Sequence, residues 1–424
     1  MSNPILCGSE EQKWSRRKFL TTSAGIAGVP LLAQESLSRE LKKQGKSVIL
    51  LWLAGGSSQL ETWDPKPGVI TGGPFQAIQT STPGVYISEL MPKMAKRFKD
   101  TCIIRSLNTK NGDHGGGAQL MMRGRRDEAS LKYPDMGAVL AKELGNPQSQ
   151  VPDYVSFFLQ TEGRDFSGSG FLGARYSPME LSKSVQPENI DRPDHISTSD
   201  FIDRMALRDL WSTQFEKGRS SGVLASHQQA YGRVKGLMDS KKLFDVSLEP
   251  QKVRDRFGPT QFAEQVLIAR RLAEAGVPFI RVARAWWDSH GQNFETHQEM
   301  VPELDHVMAA LLDDLEERGM LKNTLVITLA EFGRTPSINS SLGRDHFASA
   351  WSTTLSGCGI VGGSVYGKTD AKGEKVADGE IGAARLLATI YRALGINHQK
   401  NYYVGSRPVP LTDPETQPVK EVLA

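Results

Sequence analysis

Seven consecutive apolar or β-branched residues, 324–330 (TLVITLA), stop abruptly at Glu331, Phe332, Gly333 and Arg334. The run follows a helical pattern and Gly319, so it reads as a strand buried on both faces. A carboxylate at the C-terminal tip of such a strand stands where open α/β sheets place their ligands. The same stretch closes with Asp345 and His346, two more candidate ligands.

The rest of the chain alternates in keeping with that strand. Residues 48–53 (VILLWL) form a second central run, breaking into Ala54-Gly55-Gly56, and 101–105, 154–159 and 279–282 predict further strands. Apolar residues at steps of three and four predict helices over 136–144, 261–275, 302–318 and 381–394, and one beginning at Ala118. Between 160 and 259 the pattern loosens around short helical stretches such as 199–217, as an insertion or cap would. The alternation predicts an α/β fold with a largely parallel central sheet flanked by helices, in a single domain over 34–424.

In a parallel sheet the C-terminal strand ends share one edge, so their polar clusters can meet. Asp64 follows the first strand, Asp288, His290 and His297 follow 279–282, and Asp113 with His114 opens a Gly-rich segment. Together with Glu331, Asp345 and His346 they make a set of imidazoles and carboxylates that suits a divalent Zn, Mn or Fe ion better than Ca. Such an ion lowers the pKa of a bound water or steadies a phosphoryl or sulfuryl oxygen. Plainer roles stand beside these: Asp345 as a turn cap, Glu331 as a partner of Arg334, and Gly55–Gly56 as a tight turn or an anion cradle. Trp286 and Trp287 are either core or a wall suited to sugar rings. Cys7, Cys102 and Cys358 offer neither a disulfide framework nor a structural zinc spacing.

The net charge of +3 falls to +1 without residues 1–33, which carry four cations against two acids. No basic field remains for nucleic acid. Ser15-Arg16-Arg17-Lys18-Phe19-Leu20 resembles the twin-arginine (Tat) export signal, and residues 21–33 are too short and weakly apolar to span a bilayer. The expectation is cleavage near Ala33, the Tat machinery as a partner, and a periplasmic or extracellular mature chain with no transmembrane span.

Asp288-Ser289-His290, Leu304-Asp305, Gly319, residues 323–327 (NTLVI) and Glu331-Phe332-Gly333 resemble the second half of the alkaline phosphatase/sulfatase superfamily. The whole chain is similar to an uncharacterised Tat-exported family, a domain of unknown function related to sulfatases. That likeness rests on the export motif, 51–67 (LWLAGGSSQLETWDPKP), 331–336 (EFGRTP), 343–346 (GRDH) and 405–408 (GSRP). The resemblance implies an alkaline phosphatase/sulfatase-like fold with Asp288, His290, Glu331 and His346 as metal ligands. It makes His114 a nucleophile or general acid and Arg334 an anion clamp. The substrate would be a small-molecule or polysaccharide ester of phosphate or sulfate. Three departures stand out: Ala54-Gly55-Gly56 where the first ligand Asp is expected, His114 where a Ser, Thr or Cys is expected, and Phe332 where His or Asn is expected. They keep two other readings open, a catalytically inactive member binding extracellular polysaccharide or a protein, and a structural partner in an exported complex.

Overall fold

The computed structural model describes residues 44–146, 151–157, 168–181, 184–188, 191–217 and 240–424, together with 149, 236 and 238. The export motif and much of the expected cap lie outside the described residues. Eight strands form the main sheet: β1 (Ser47–Leu53), β2 (Thr101–Leu107), β3 (Tyr154–Phe157), β4 (Met179–Leu181), β5 (Phe279–Arg284), β6 (Thr324–Leu329), β7 (Trp351–Gly357) and β8 (Ser364–Tyr366). Their order across the sheet is β8-β2-β7-β6-β1-β5-β3-β4. Only β7 runs antiparallel to its neighbours, β6 and β2, and every other pairing is parallel. The α/β class with a largely parallel sheet is therefore the observed one.

Every residue of β1 and of β6 is buried, as the apolar runs required. The principal helices are α1 (His114–Arg123), α2 (Met136–Leu144), α3 (Thr198–Glu216), α4 (Gln261–Glu274), α5 (Asn293–Glu317) and α6 (Ala383–Ala393). Among them α4 packs on β5, β1 and α5, whereas α1 packs on α2 and α6. No helix among the described residues is long and apolar enough to cross a membrane.

Three elements depart from expectation. Helix α5 starts at Asn293, with Pro302 inside it rather than at its first turn. The proline's missing N–H leaves the Gln298 carbonyl unpaired, which costs little because Gln298 is exposed to water. Helix α1 begins at His114 instead of Ala118, because the Asp113 side chain caps it by accepting from the Gly116 N–H at 2.7 Å. Its glycines serve close approach: a Cβ on Gly117 would lie 3.0 Å from the Glu331 carbonyl oxygen. Strand β7 was not anticipated, since its polar sequence WSTTLSG does not read as a buried strand. Three of its four hydroxyls are satisfied inside the sheet, Thr354 with Thr328 at 2.7 Å, Ser356 with Thr101 at 2.9 Å, and Thr353 on the Thr328 carbonyl at 2.5 Å, while Ser352 Oγ has no partner among the described residues.

The register puts Trp52 beside Ala283 and Leu329, so β1, β5 and β6 end level with one another. Chain leaving these three ends, and chain leaving parallel β2, emerges on one edge. That edge gathers Gly55, His114, Asp288 and Glu331.

Candidate metal centre

Asp288 lies at the middle of the cluster. Its Oδ1 stands 3.2 Å from His290 Nε2 and 3.2 Å from His346 Nε2, and those two nitrogens are 3.0 Å apart. These three atoms form a nearly equilateral triangle, and Asp288 Oδ1 also accepts from the Arg334 guanidinium at 2.5 Å. His346 donates its Nδ1–H to the Gly112 carbonyl at 2.7 Å, and His290 donates its Nδ1–H to Asp345 Oδ1 at 2.7 Å. Both acceptors lack a proton to give, so in the neutral rings Nε2 is a bare lone pair. In that form two lone pairs and a carboxylate oxygen face one another, and a cation between them would relieve the repulsion that the Arg334 guanidinium offsets only on the Asp288 side. Donors bonded at about 2.0–2.2 Å to a tetrahedral ion stand roughly 3.3 Å apart, so the triangle fits one. Outer N–H groups tied to a carboxylate and a carbonyl are what a metal-binding histidine requires. His114 stands beside them: one ring nitrogen of it, a carboxylate oxygen of Asp288 and a ring nitrogen of His346 lie within 4.8 Å of one another.

His114 links this triangle to the end of β6. Its Nε2 meets Asp288 Oδ2 at 3.2 Å and its Nδ1 meets Glu331 Oε1 at 2.9 Å. Those hydrogen bonds, Asp288 first and Glu331 second, push the imidazole up to about 9, against burial. Burial acts to raise the Asp288 carboxyl, yet His114 and the Arg334 guanidinium beside it hold it well below the usual carboxylate range. Glu331 Oε1 also accepts the Gly55 N–H at 2.8 Å, while its buried Oε2 has no partner among the described residues. The Phe332 ring stacks on His346 at 4.2 Å and fixes that imidazole from one side.

Gly55 and Gly56 make this close packing possible. Both hold φ near +100°, at +107° and +89°, and a Cβ on Gly55 would fall 2.5 Å from the Asp288 nitrogen. Their carbonyls accept from the Arg334 guanidinium, Gly56 from Nε at 2.8 Å and Gly55 from Nη2. The glycine pair thus cradles a cation of the protein itself, and its one anion contact is the Glu331 carboxylate.

A family model described as a protein of unknown function (DUF1501) matches residues 45–423. The chain belongs to the DUF1501 family. No curated protein matches it. Among solved structures it is similar to PsFucS1 sulfatase from Pseudoalteromonas sp., at 15% identity over 86% of this chain and 72% of that one, with a TM-score of 0.40. It is similar to a mutant TAB5 alkaline phosphatase with Mg bound, at 10% identity over 83% and 98% of the two chains and a TM-score of 0.36. The lipoteichoic acid synthase LtaP from Listeria monocytogenes stands at 10% identity, 83% and 72% coverage and a TM-score of 0.36.

In this DUF1501 chain the residues expected as ligands divide into two groups. Asp288, His290 and His346 converge, whereas Glu331 stands behind His114 and contacts none of the two outer imidazoles. Asp345 touches no triangle atom except through His290. Arg334, expected as an anion clamp, is corrected: it is fully buried, and four of its five N–H groups go to Gly55, Gly56, Arg344 and Asp288. His297 does not reach the cluster. It is buried in α5, its Nε2 accepting from Ser58 N at 3.0 Å and its Nδ1 donating to the Asn293 carbonyl at 2.8 Å, and burial depresses its pKa. Asp64 pairs with Lys66 at 2.9 Å and with the Thr369 hydroxyl, and Asp113 is the cap of α1.

Two supports escaped the sequence reading. Gln59 clamps the Arg334 backbone, donating to its carbonyl at 2.8 Å and accepting its N–H at 3.0 Å. Arg344, just before Asp345, forms a fully buried pair with Glu61 at 2.8 Å and also holds the Thr335 and Pro336 carbonyls. Their places in QLETW (59–63) and GRDH (343–346) were the available signal, but nothing local shows that those segments meet.

Proposed function

We propose that this protein is an exported, metal-dependent hydrolase of phosphate or sulfate esters. The observation that carries the metal dependence is the triangle of Asp288 Oδ1, His290 Nε2 and His346 Nε2, whose neutral form leaves three acceptors facing one another. A divalent ion bound there would polarise an ester oxygen and lower the pKa of a water. His114, holding its proton up to about pH 9, donates through both nitrogens and so has the form of a general acid. With no lone pair left it does not suit the nucleophile's part. Arg334 positions Asp288 and the Gly55–Gly56 turn, and Asp345 orients His290. The choice of phosphate or sulfate esters, small-molecule or polysaccharide, follows from the motif resemblance, and export through Tat to the periplasm or beyond follows from the Ser15–Leu20 motif. One observation favours the inactive, polysaccharide- or protein-binding alternative: His114 stands where related enzymes carry a hydroxyl or thiol nucleophile. Hydrolysis of 4-nitrophenyl phosphate and sulfate by protein loaded with Zn, Mn or Fe decides between them. The hydrolase reading expects turnover that Asp288→Asn and His114→Ala both abolish, and no turnover with any loaded metal overturns it.

A further inference from the structure

Trp286 and Trp287 have opposite surroundings. Trp287 is buried against His297, with ring centroids 5.5 Å apart, while Trp286 is 57% exposed. Trp286 has φ +75°, a left-handed backbone that is disfavoured for so bulky a side chain. This turn sends one indole outward and the next inward, two residues before Asp288. The exposed indole lines a cleft of about 300 Å³ with Gln265, Arg284 and Glu303, at the N-terminal end of α4. Gln265, only 2% exposed, puts a carboxamide-bearing side chain in the wall of the same cleft. Arg284 bonds Glu303 through Nε at 2.7 Å and the Ala285 carbonyl through Nη1 at 3.1 Å, and Nη2 keeps its donors.

We propose that this cleft is a subsite for one pyranose ring of a saccharide. An indole face covers the C–H face of such a ring, and its hydroxyls both donate and accept. The walls match that: a carboxamide with both functions, a guanidinium with spare donors and a carboxylate with spare lone pairs. Arg284 and Glu303 cancel in charge, so the cleft selects neither a cation nor an anion. Trp286 lies two residues before Asp288 in the chain, and making the ring part of the ester substrate is a step that rests on the hydrolase reading; the binding itself does not.

The test uses the whole protein with Trp211→Phe, which removes the other exposed tryptophan among the described residues. Acrylamide quenching of the remaining emission is followed with xylohexaose, chitohexaose and a carrageenan hexasaccharide as probes. At least one probe is expected to shield Trp286, with Trp286→Ala weakening its Kd by at least about tenfold and Trp286→Phe by no more than about threefold. Gln265→Leu, close in volume, is expected to weaken it as well. No shielding by any probe at about 10 mM, an unchanged Kd in Trp286→Ala, or shielding by AMP alone overturns the subsite. Running the same titration after chelation separates the two readings. Saccharide binding by a protein that takes up no metal removes the hydrolase and keeps the subsite, whereas metal uptake without saccharide binding does the reverse.

Discussion

Asp345 shows how a single side chain sets the centre's geometry without belonging to it. Its carboxylate holds His290 Nδ1 at 2.7 Å, and that hydrogen bond in turn keeps the Asp345 pKa below its ordinary value. Asn339 adds a second contact and bonds the His290 carbonyl at 2.9 Å. Removing the charge loosens the ring and makes its Nε2 less basic. Asp345→Asn is therefore expected to lower zinc affinity roughly 10- to 100-fold, read by competition with a chelating dye, while leaving the folded state intact. An unchanged affinity would mean that His290 is not a ligand. Glu61 supplies the contrasting case, because its fully buried pairing with Arg344 anchors the segment that carries Asp345 and His346. Glu61→Ala leaves a buried guanidinium unpaired and is expected to cost about 3–5 kcal/mol in denaturant unfolding. A loss below about 1 kcal/mol would show that the segment is held otherwise.

Elements built on apolar runs were legible, and elements built on polar satisfaction were not. Strands β1 and β6 and helices α2 and α4 fall within a residue or so of their expected bounds, since burial on both faces or one stripe writes itself into the chain. Strand β7 was missed because Thr and Ser hydroxyls pair across it, a feature only the assembled sheet reveals. The site divides in the same way. Strand ends located Asp288 and Glu331, and the segment after Glu331 offered His346, but the spent guanidinium of Arg334 depends on carbonyls 278 and 279 residues away. Packing at the element scale is tight where α2 meets the sheet: a Cβ on Gly137 would lie 2.5 Å from the Tyr154 ring and 2.6 Å from Phe279. Gly137→Ala is expected to destabilise by about 1–3 kcal/mol through overpacking, seen as a lower urea midpoint with unchanged metal content. No shift would mean the α2 contact is looser than described.

For the whole molecule, a level set of parallel strand ends does the assembling: β1, β2, β5 and β6 deliver to one edge residues that are distant in sequence. A metal held by that edge would tie His290 and His346 to Asp288 and bind the native state alone. By linkage it is expected to stabilise the protein by about 2.7 kcal/mol at a free concentration 100 times Kd. Calorimetry should show a higher Tm with metal than with chelator, and His290→Ala/His346→Ala should erase the difference. The most direct measurement is the metal content of purified protein by mass spectrometry, taken with and without that double substitution. The account predicts about one equivalent of Zn, Mn or Fe per chain in the native protein and its loss in the variant. Less than about a tenth of an equivalent, or a content the double substitution leaves unchanged, would contradict it.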